Sequence, residues 1–199
     1  MPLNQHWVNQ MIKRIFDLII TIPLLLVALP FFILIALLIK LTSNGPVFYL
    51  QLRVGFNNTD FKIYKFRTMQ LNADKAGLLT VGGRDPRVTS IGYFLRKYKL
   101  DELPQLLNVL FGSMSLVGPR PEVRKYVDLY NAEQQKVLSV KPGITDYASI
   151  EYSEENELLA KSKDPEKTYI EDIMPAKLRS EEHTSELQSP CNLVCRLLL

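Results

Sequence analysis

Asp101 and Glu102 stand side by side in the stretch KLDELPQLLNVL, residues 99–110, shortly before Pro104. Adjacent carboxylates suit nucleophilic attack, metal binding, or a base working beside a second charge. A plainer role competes. An aspartate three residues ahead of a proline that opens a helix can satisfy free backbone N–H groups and the positive end of the helix dipole. Further along, Arg120 lies between Pro119 and Pro121. Each X-Pro bond disfavours helix, so this segment reads as rigid and extended. A guanidinium held there has little entropy left to lose on gripping phosphate oxygens. The alternative is a stiff turn with a solvated arginine.

The charge pattern bears on both readings. Residues 53–99 carry ten Lys and Arg against three acids, and Arg53, Lys65, Arg67, Arg87 and Arg96 are the candidate substrate-binding cations. Residues 101–178 carry nine bases against fourteen acids. A carboxylate near several cations stays ionised and can serve as nucleophile or metal ligand. A basic half beside a membrane anchor suits anionic lipid or a phosphorylated substrate. No nucleic-acid-binding motif accompanies the basic residues, so nucleic acid is not an expected partner.

The anchor is Leu18–Ile39, a run of 22 residues without a charge. That length can cross a hydrocarbon core of about 30 Å as a helix. Lys13 and Arg14 precede it and Lys40 follows, so loop charge sets no orientation. Pro23 and Pro30 lie inside the run, and a proline there removes a backbone hydrogen bond and crowds the preceding turn. Two courses compete: a kinked spanning helix, or a helix–break–helix that enters and leaves on one face. Basic flanks at both ends and the central Pro30 favour the second.

Beyond residue 40 the composition is that of a globular domain. Strands are predicted before Gly55 and over Phe61–Met69, the latter leading into a helix through residues 68–76. A helix is predicted from an N-cap at Ser90 to Tyr98, another from Pro104, and an amphipathic one over Val123–Leu138. KPGIT reads as a turn, and residues 155–178 as polar helix interrupted at Pro165 and Pro175. The fold class is α/β with mostly helices and short strands. Three parts are expected: residues 1–40 as a re-entrant membrane helix, 41–178 as a small catalytic domain, and 179–199 as a foreign tail. That tail, Arg179–Leu199, resembles translated sequencing-adapter read-through and is set apart from fold reasoning. Both cysteines, Cys191 and Cys195, fall in it, leaving no disulfide or Cys-ligated metal for the rest.

Eight short motifs, in order, carry a resemblance. They are Lys13-Arg14-Ile15-Phe16-Asp17, Pro30 in the apolar run, Gly45-Pro46-Val47-Phe48, and Tyr64-Lys65-Phe66-Arg67-Thr68-Met69. Then come Asp85-Pro86-Arg87-Val88-Thr89, Leu100-Asp101-Glu102-Leu103-Pro104-Gln105-Leu106, Met114 through Pro121, and Lys141-Pro142-Gly143-Ile144-Thr145. Together residues 13–145 resemble the bacterial sugar transferase family, small monotopic phosphoglycosyl transferases that begin surface-glycan assembly. The resemblance implies a broken helix dipping into the cytoplasmic leaflet of the bacterial inner membrane, with its break at Pro30 and the catalytic domain on the cytoplasmic face. It implies an Asp-Glu dyad with Mg²⁺, in which Asp101 contacts the metal and attacks a UDP-sugar. UMP leaves, and the covalent phosphosugar passes to undecaprenyl phosphate. Glu102 would assist with metal or protons, while Pro119, Arg120 and Pro121 would hold the donor. A homodimer is compatible with the resemblance.

The chain departs from the family pattern in three places. Leu29 precedes Pro30 where many members have serine. Asp146–Glu151 replaces a glycine-led stretch, which bears on the donor sugar. The adapter-like tail stands in for the family's terminal segment. A truncated, non-catalytic, membrane-anchored scaffold is the competing functional class.

Overall fold

The computed structural model describes residues 3–73, 85–152 and 155–187. The expectations for residues 74–84 and for 188–199 lie outside them.

Helix α1 (Leu3–Thr42) is long and apolar enough to cross a membrane. The interruption expected at Pro30 is absent, because helical structure continues past Pro23 and Pro30. A proline can bend a helix without ending it, since only one hydrogen bond is lost and neighbouring turns persist. Burial on α1 follows a helical stripe. Asp17, Thr21, Phe32, Ile35 and Ile39 are buried, and Leu25 and Ala28 pack between them. Spacings of three and four residues place these on one face, which lies against the domain. The opposite face, including Leu26, Val27 and Ile33, is exposed.

Strands β1 (Phe48–Val54) and β2 (Asp60–Phe66) form an antiparallel hairpin that pairs Phe48 with Phe66 and Arg53 with Phe61. The predicted helix after β2 is not formed through residue 73. Met69 instead bridges to Val88, and the Thr89 N–H donates to the Thr68 carbonyl. Helix α2 (Ser90–Lys97) is capped by Thr89 rather than Ser90, the Thr89 hydroxyl accepting from the Gly92 N–H at 3.0 Å. Helix α3 (Gln105–Phe111) ends at Gly112, whose φ of 87° suits a residue without a Cβ.

Two more predictions are corrected. The single amphipathic helix over 123–138 is a short α4 (Arg124–Val127) and then a separate 3-10 turn over Gln134–Ser139. Asn131 makes the division, its side chain accepting from the N–H groups of Glu133 and Gln134. KPGIT is not merely a turn: β4 (Gly143–Thr145) pairs in parallel with β3 (Ser115–Val117). Short helices α5 (Tyr147–Glu151), α6 (Glu155–Lys161) and α7 (Pro165–Thr168) follow, then a π-helical turn and α8 (Met174–Leu187). Pro165 opens α7, whereas the interruption expected at Pro175 is absent, helical structure running without a break from α7 through the π-helical turn Tyr169–Ile173 into α8.

One core joins Val54, Val123, Tyr126, Tyr169 and Ile173, tying β1 to the C-terminal helices. A second joins Phe32, Ile35 and Ile39 of α1 to Phe66 and Leu95. Asn108 stitches α3 to the edge of β2. Its carbonyl oxygen accepts from the Tyr64 N–H at 2.9 Å, and its amide donates to the Lys62 carbonyl at 2.8 Å.

Candidate active site

A pocket of about 700 Å³ opens between the hairpin, α3, the β3–β4 pair and the C-terminal helices. Asp101 and Glu102 line it, together with Arg53, Lys65, Arg96 and Arg120.

The carboxylates sit on a tight 3-10 turn, Leu100–Glu102, entered through Lys99 in the left-handed conformation. Helix α3 begins after Pro104 and receives no side-chain cap. The capping role weighed for Asp101 is therefore not realised. The two acids meet different surroundings. Glu102 accepts from Arg120 Nη2 at 2.6 Å and Nη1 at 3.3 Å, and from Lys65 Nζ at 2.8 Å. Burial works against its ionisation, yet Arg120 and then Lys65 hold the carboxyl well below the usual range. Asp101 is buried and makes no ion pair among the described residues. Burial pushes its carboxyl above the usual aspartate range, against the pull of Lys65 and Arg96.

Arg120 is placed by its own backbone. The Pro119 carbonyl accepts from the Gly143 N–H at 3.0 Å, and the Thr145 carbonyl accepts from the Gly118 N–H at 3.1 Å. The Pro121 carbonyl accepts from Arg53 Nη1 at 3.2 Å. Pro119 and Pro121 thus frame the guanidinium without lining the pocket themselves. The approach at Gly143 is close, since a Cβ there would lie 2.1 Å from the Gly118 nitrogen. Gly143→Ala is expected to destabilise the fold by about 3 kcal/mol, because backbone rather than a yielding side chain is struck. Thermal unfolding of the purified variant checks this, and an unchanged midpoint refutes it.

The other predicted cations separate. Arg53 and Lys65 share one face of the hairpin, as alternation along paired strands requires. Arg96 reaches the pocket from the last turn of α2 while its Nε donates to Thr68 Oγ1 at 2.9 Å. Arg67 and Arg87 do not line the pocket. Arg67 is buried and donates to the Ser43 carbonyl and hydroxyl at 2.9 and 2.7 Å, fastening the end of α1. Arg87 forks onto Asp85.

Residues that the sequence did not single out complete the walls. Glu122 accepts from Arg53 Nη1 at 2.8 Å, from the Val123 N–H at 2.8 Å, and from the Tyr169 hydroxyl. It locks the hairpin and the Gly-Pro-Arg-Pro segment to the C-terminal helices. Its place directly after Pro121 was the one available signal. Asp146 also lines the pocket, from the stretch whose sequence bore on the donor sugar, as do Glu155 and Lys177, from segments whose sequence carried no such sign. Burial opposes ionisation of Glu122, but Arg53 and then Tyr169 hold its carboxyl below the model-peptide value of 4.5. A depressed carboxylate contributes its full stability above the unfolded value and loses it as pH falls. Below pH 4.5 the protein should therefore lose stability, and Glu122→Gln should flatten that acid limb. Melting temperatures over pH 3–7 test this, and identical slopes would count against the Glu122 linkage.

Mg²⁺ needs only one or two protein carboxylates when substrate phosphates supply other ligands. Asp101, which makes no ion pair among the described residues and lines the pocket, fits that requirement. Among the described residues no group of three or more His, Cys, Asp or Glu forms a metal cage.

The bacterial sugar transferase profile matches residues 8–176. Over 142 residues the chain is 44% identical to the UDP-N-acetylgalactosamine-undecaprenyl-phosphate N-acetylgalactosaminephosphotransferase of Aeromonas hydrophila, covering 70% of this chain and 34% of that protein. It is 41% identical over 152 residues to the UDP-glucose:undecaprenyl-phosphate glucose-1-phosphate transferase of Klebsiella pneumoniae, covering 75% and 32%. The exopolysaccharide production protein ExoY of Sinorhizobium fredii is 40% identical over 148 residues, covering 67% and 66%. The chain thus spans about a third of the length of the first two relatives. The profile covers the apolar run, the hairpin and every residue lining the Asp101–Glu102 pocket except Lys177, and the chain belongs to the bacterial sugar transferase family.

Proposed function

We propose that this chain moves a sugar-1-phosphate from a UDP-sugar to undecaprenyl phosphate, the first membrane step of a surface polysaccharide. The observation that carries this reading is the asymmetry of the two carboxylates. Glu102 is neutralised by Arg120 and Lys65, whereas Asp101 lines the same pocket and makes no ion pair among the described residues. A desolvated carboxylate with raised basicity is suited to attack phosphorus.

An Asp101 oxygen attacks the β-phosphorus of the donor. The bond from that phosphorus to the bridging oxygen breaks, and UMP leaves carrying the electron pair. A phosphate oxygen of the lipid then attacks the same phosphorus and breaks its bond to Asp101. The products are the polyprenyl-diphosphate sugar and the regenerated carboxylate. Lys65, Arg96 and Arg120 hold the diphosphate and stabilise its developing charge. Glu102 keeps Arg120 and Lys65 in position and, being firmly ionised, is not the group that donates a proton. Asp101 is the residue that would hold Mg²⁺, which would supply further charge neutralisation.

The lipid acceptor needs the pocket at a bilayer surface, and α1 supports that placement. Before the apolar run, Lys13 donates to the Val117 carbonyl at 2.9 Å, Arg14 donates to the Leu110 carbonyl at 2.7 Å, and Asp17 accepts from Ser115 Oγ. After the run, Ser43 accepts from Arg67. Both flanks grip one domain, which favours an unbroken helix held along one face of the membrane over one that crosses it. The reading therefore places the catalytic domain on the cytoplasmic side of the inner membrane, where UDP-sugars are found.

A panel of UDP-sugars with Mg²⁺ tests the activity. Without acceptor, one UMP per protein is expected from the matching donor. Continuous release should require undecaprenyl phosphate. No UMP from any donor, with the protein folded, would favour the scaffold reading.

A further inference from the structure

The hairpin has two unlike faces. Arg53 and Lys65 point from one into the pocket, while Phe48, Leu50 and Leu52 alternate onto the other. An antiparallel sheet with one face on the protein usually turns polar residues outward on the other. Here Leu50 and Leu52 are 47% and 52% exposed. Phe111, at the end of α3, is 69% exposed. Its ring lies 6.4 Å from Tyr64, which lies 6.5 Å from Phe48. These side chains form one contiguous apolar patch of the kind that marks an interaction surface.

The patch runs directly into α1. Phe48 stacks on Phe66 at 5.5 Å, and Phe66 meets Phe32 of α1 edge-on at 5.2 Å. The apolar helix thus covers one end of this sheet face and leaves the rest open. At the other end Arg14 grips the Val109 and Leu110 carbonyls beside Phe111. The patch therefore lies between the two flanks of the apolar run. Lys62 is exposed across the ladder from Leu52, and Lys40 is exposed at the end of α1. Aromatic and aliphatic side chains with a basic rim match the headgroup–acyl boundary of an anionic bilayer.

We propose that the outer face of the β1–β2 hairpin, with Phe111, is a second membrane-contact surface that seats the domain on anionic lipid. The proposal rests on the membrane reading of α1. It gives the hairpin a double role: one face binds the donor phosphates, and the other fixes the depth at which the pocket meets the lipid acceptor.

Trp7 is the chain's single tryptophan, so W7F gives a silent background. Single tryptophans at L50W, F111W and L26W are placed in it, and the protein is reconstituted in anionic vesicles containing lipids brominated near the headgroup end of the acyl chain. All three are expected to be quenched. Quenching at L26W alone overturns the proposal and leaves the membrane reading of α1 standing. That pattern together with concentration-dependent shielding of L50W from a soluble quencher would assign the face to a second copy. Absence of quenching at L26W would sink the membrane reading itself, and this proposal with it. As a second measurement, L50E/L52E should slow transfer to undecaprenyl phosphate in anionic vesicles about tenfold, with the acceptor-free UMP burst unchanged. Equal transfer rates would also overturn the proposal.

Discussion

Asp101→Asn is expected to abolish the UMP burst and to lower turnover by at least about 10³-fold, as loss of a covalent nucleophile does. The substitution is nearly isosteric and lies on a turn held by backbone hydrogen bonds from Glu102 to Lys99 and from Leu103 to Leu100. It also removes a buried charge whose ionisation the surroundings disfavour, so the fold should not suffer. A labelled sugar should become attached to the wild-type protein in the absence of acceptor and not to the variant. Donor binding, read by calorimetry with UMP, should persist because Lys65, Arg96 and Arg120 remain. Full activity from Asp101→Asn would eliminate the covalent route, whatever the fate of the label.

Arg120→Ala should lower kcat/KM for the donor by about 10²-fold or more, the scale seen when one preorganised charge stabiliser is removed. The consequence extends past the lost guanidinium. Glu102 would keep only Lys65 as a close ionic partner, and a buried carboxylate short of a cation is costly. Arg120→Lys should rescue poorly, because an ammonium cannot reproduce the fork that places Nη1 and Nη2 on separate oxygens of Glu102. Attachment to vesicles should be unchanged in both variants, since α1 lies outside this network. Near wild-type kinetics in Arg120→Ala would mean that the Gly-Pro-Arg-Pro segment is scaffold alone.

The pocket's geometry also explains which local signals were informative. The strand predicted over Phe61–Met69 formed as β2 through Phe66, because aromatic and β-branched residues favour a strand from local sequence alone. The prolines around Arg120 marked a rigid segment correctly for the same reason. The signal failed at Thr89, where a hydroxyl one residue earlier than Ser90 made the cap, and at 123–138, where Asn131 offered the backbone a competing set of hydrogen bonds. Arg67 and Arg87 looked equivalent to Arg96 as basic residues in a basic half. Packing separated them: Arg67 faces Ser43 beyond α1, Arg87 folds back on Asp85, and Arg96 faces the pocket.

From sequence alone came the adjacent carboxylates, the apolar run and the motifs of the family, all of which are written in contiguous residues. Tertiary structure decided what those residues do to one another. Lys65, Glu102 and Arg120 come from a strand, a turn and a proline-framed segment, and their charges interact only when β2, α3 and the β3–β4 pair are packed together. An ion pair's strength depends on distance and on exclusion of water, and neither is encoded locally. That packing ties up Glu102, leaves Asp101 without an ion pair, and so distinguishes two acids that the chain presents as neighbours.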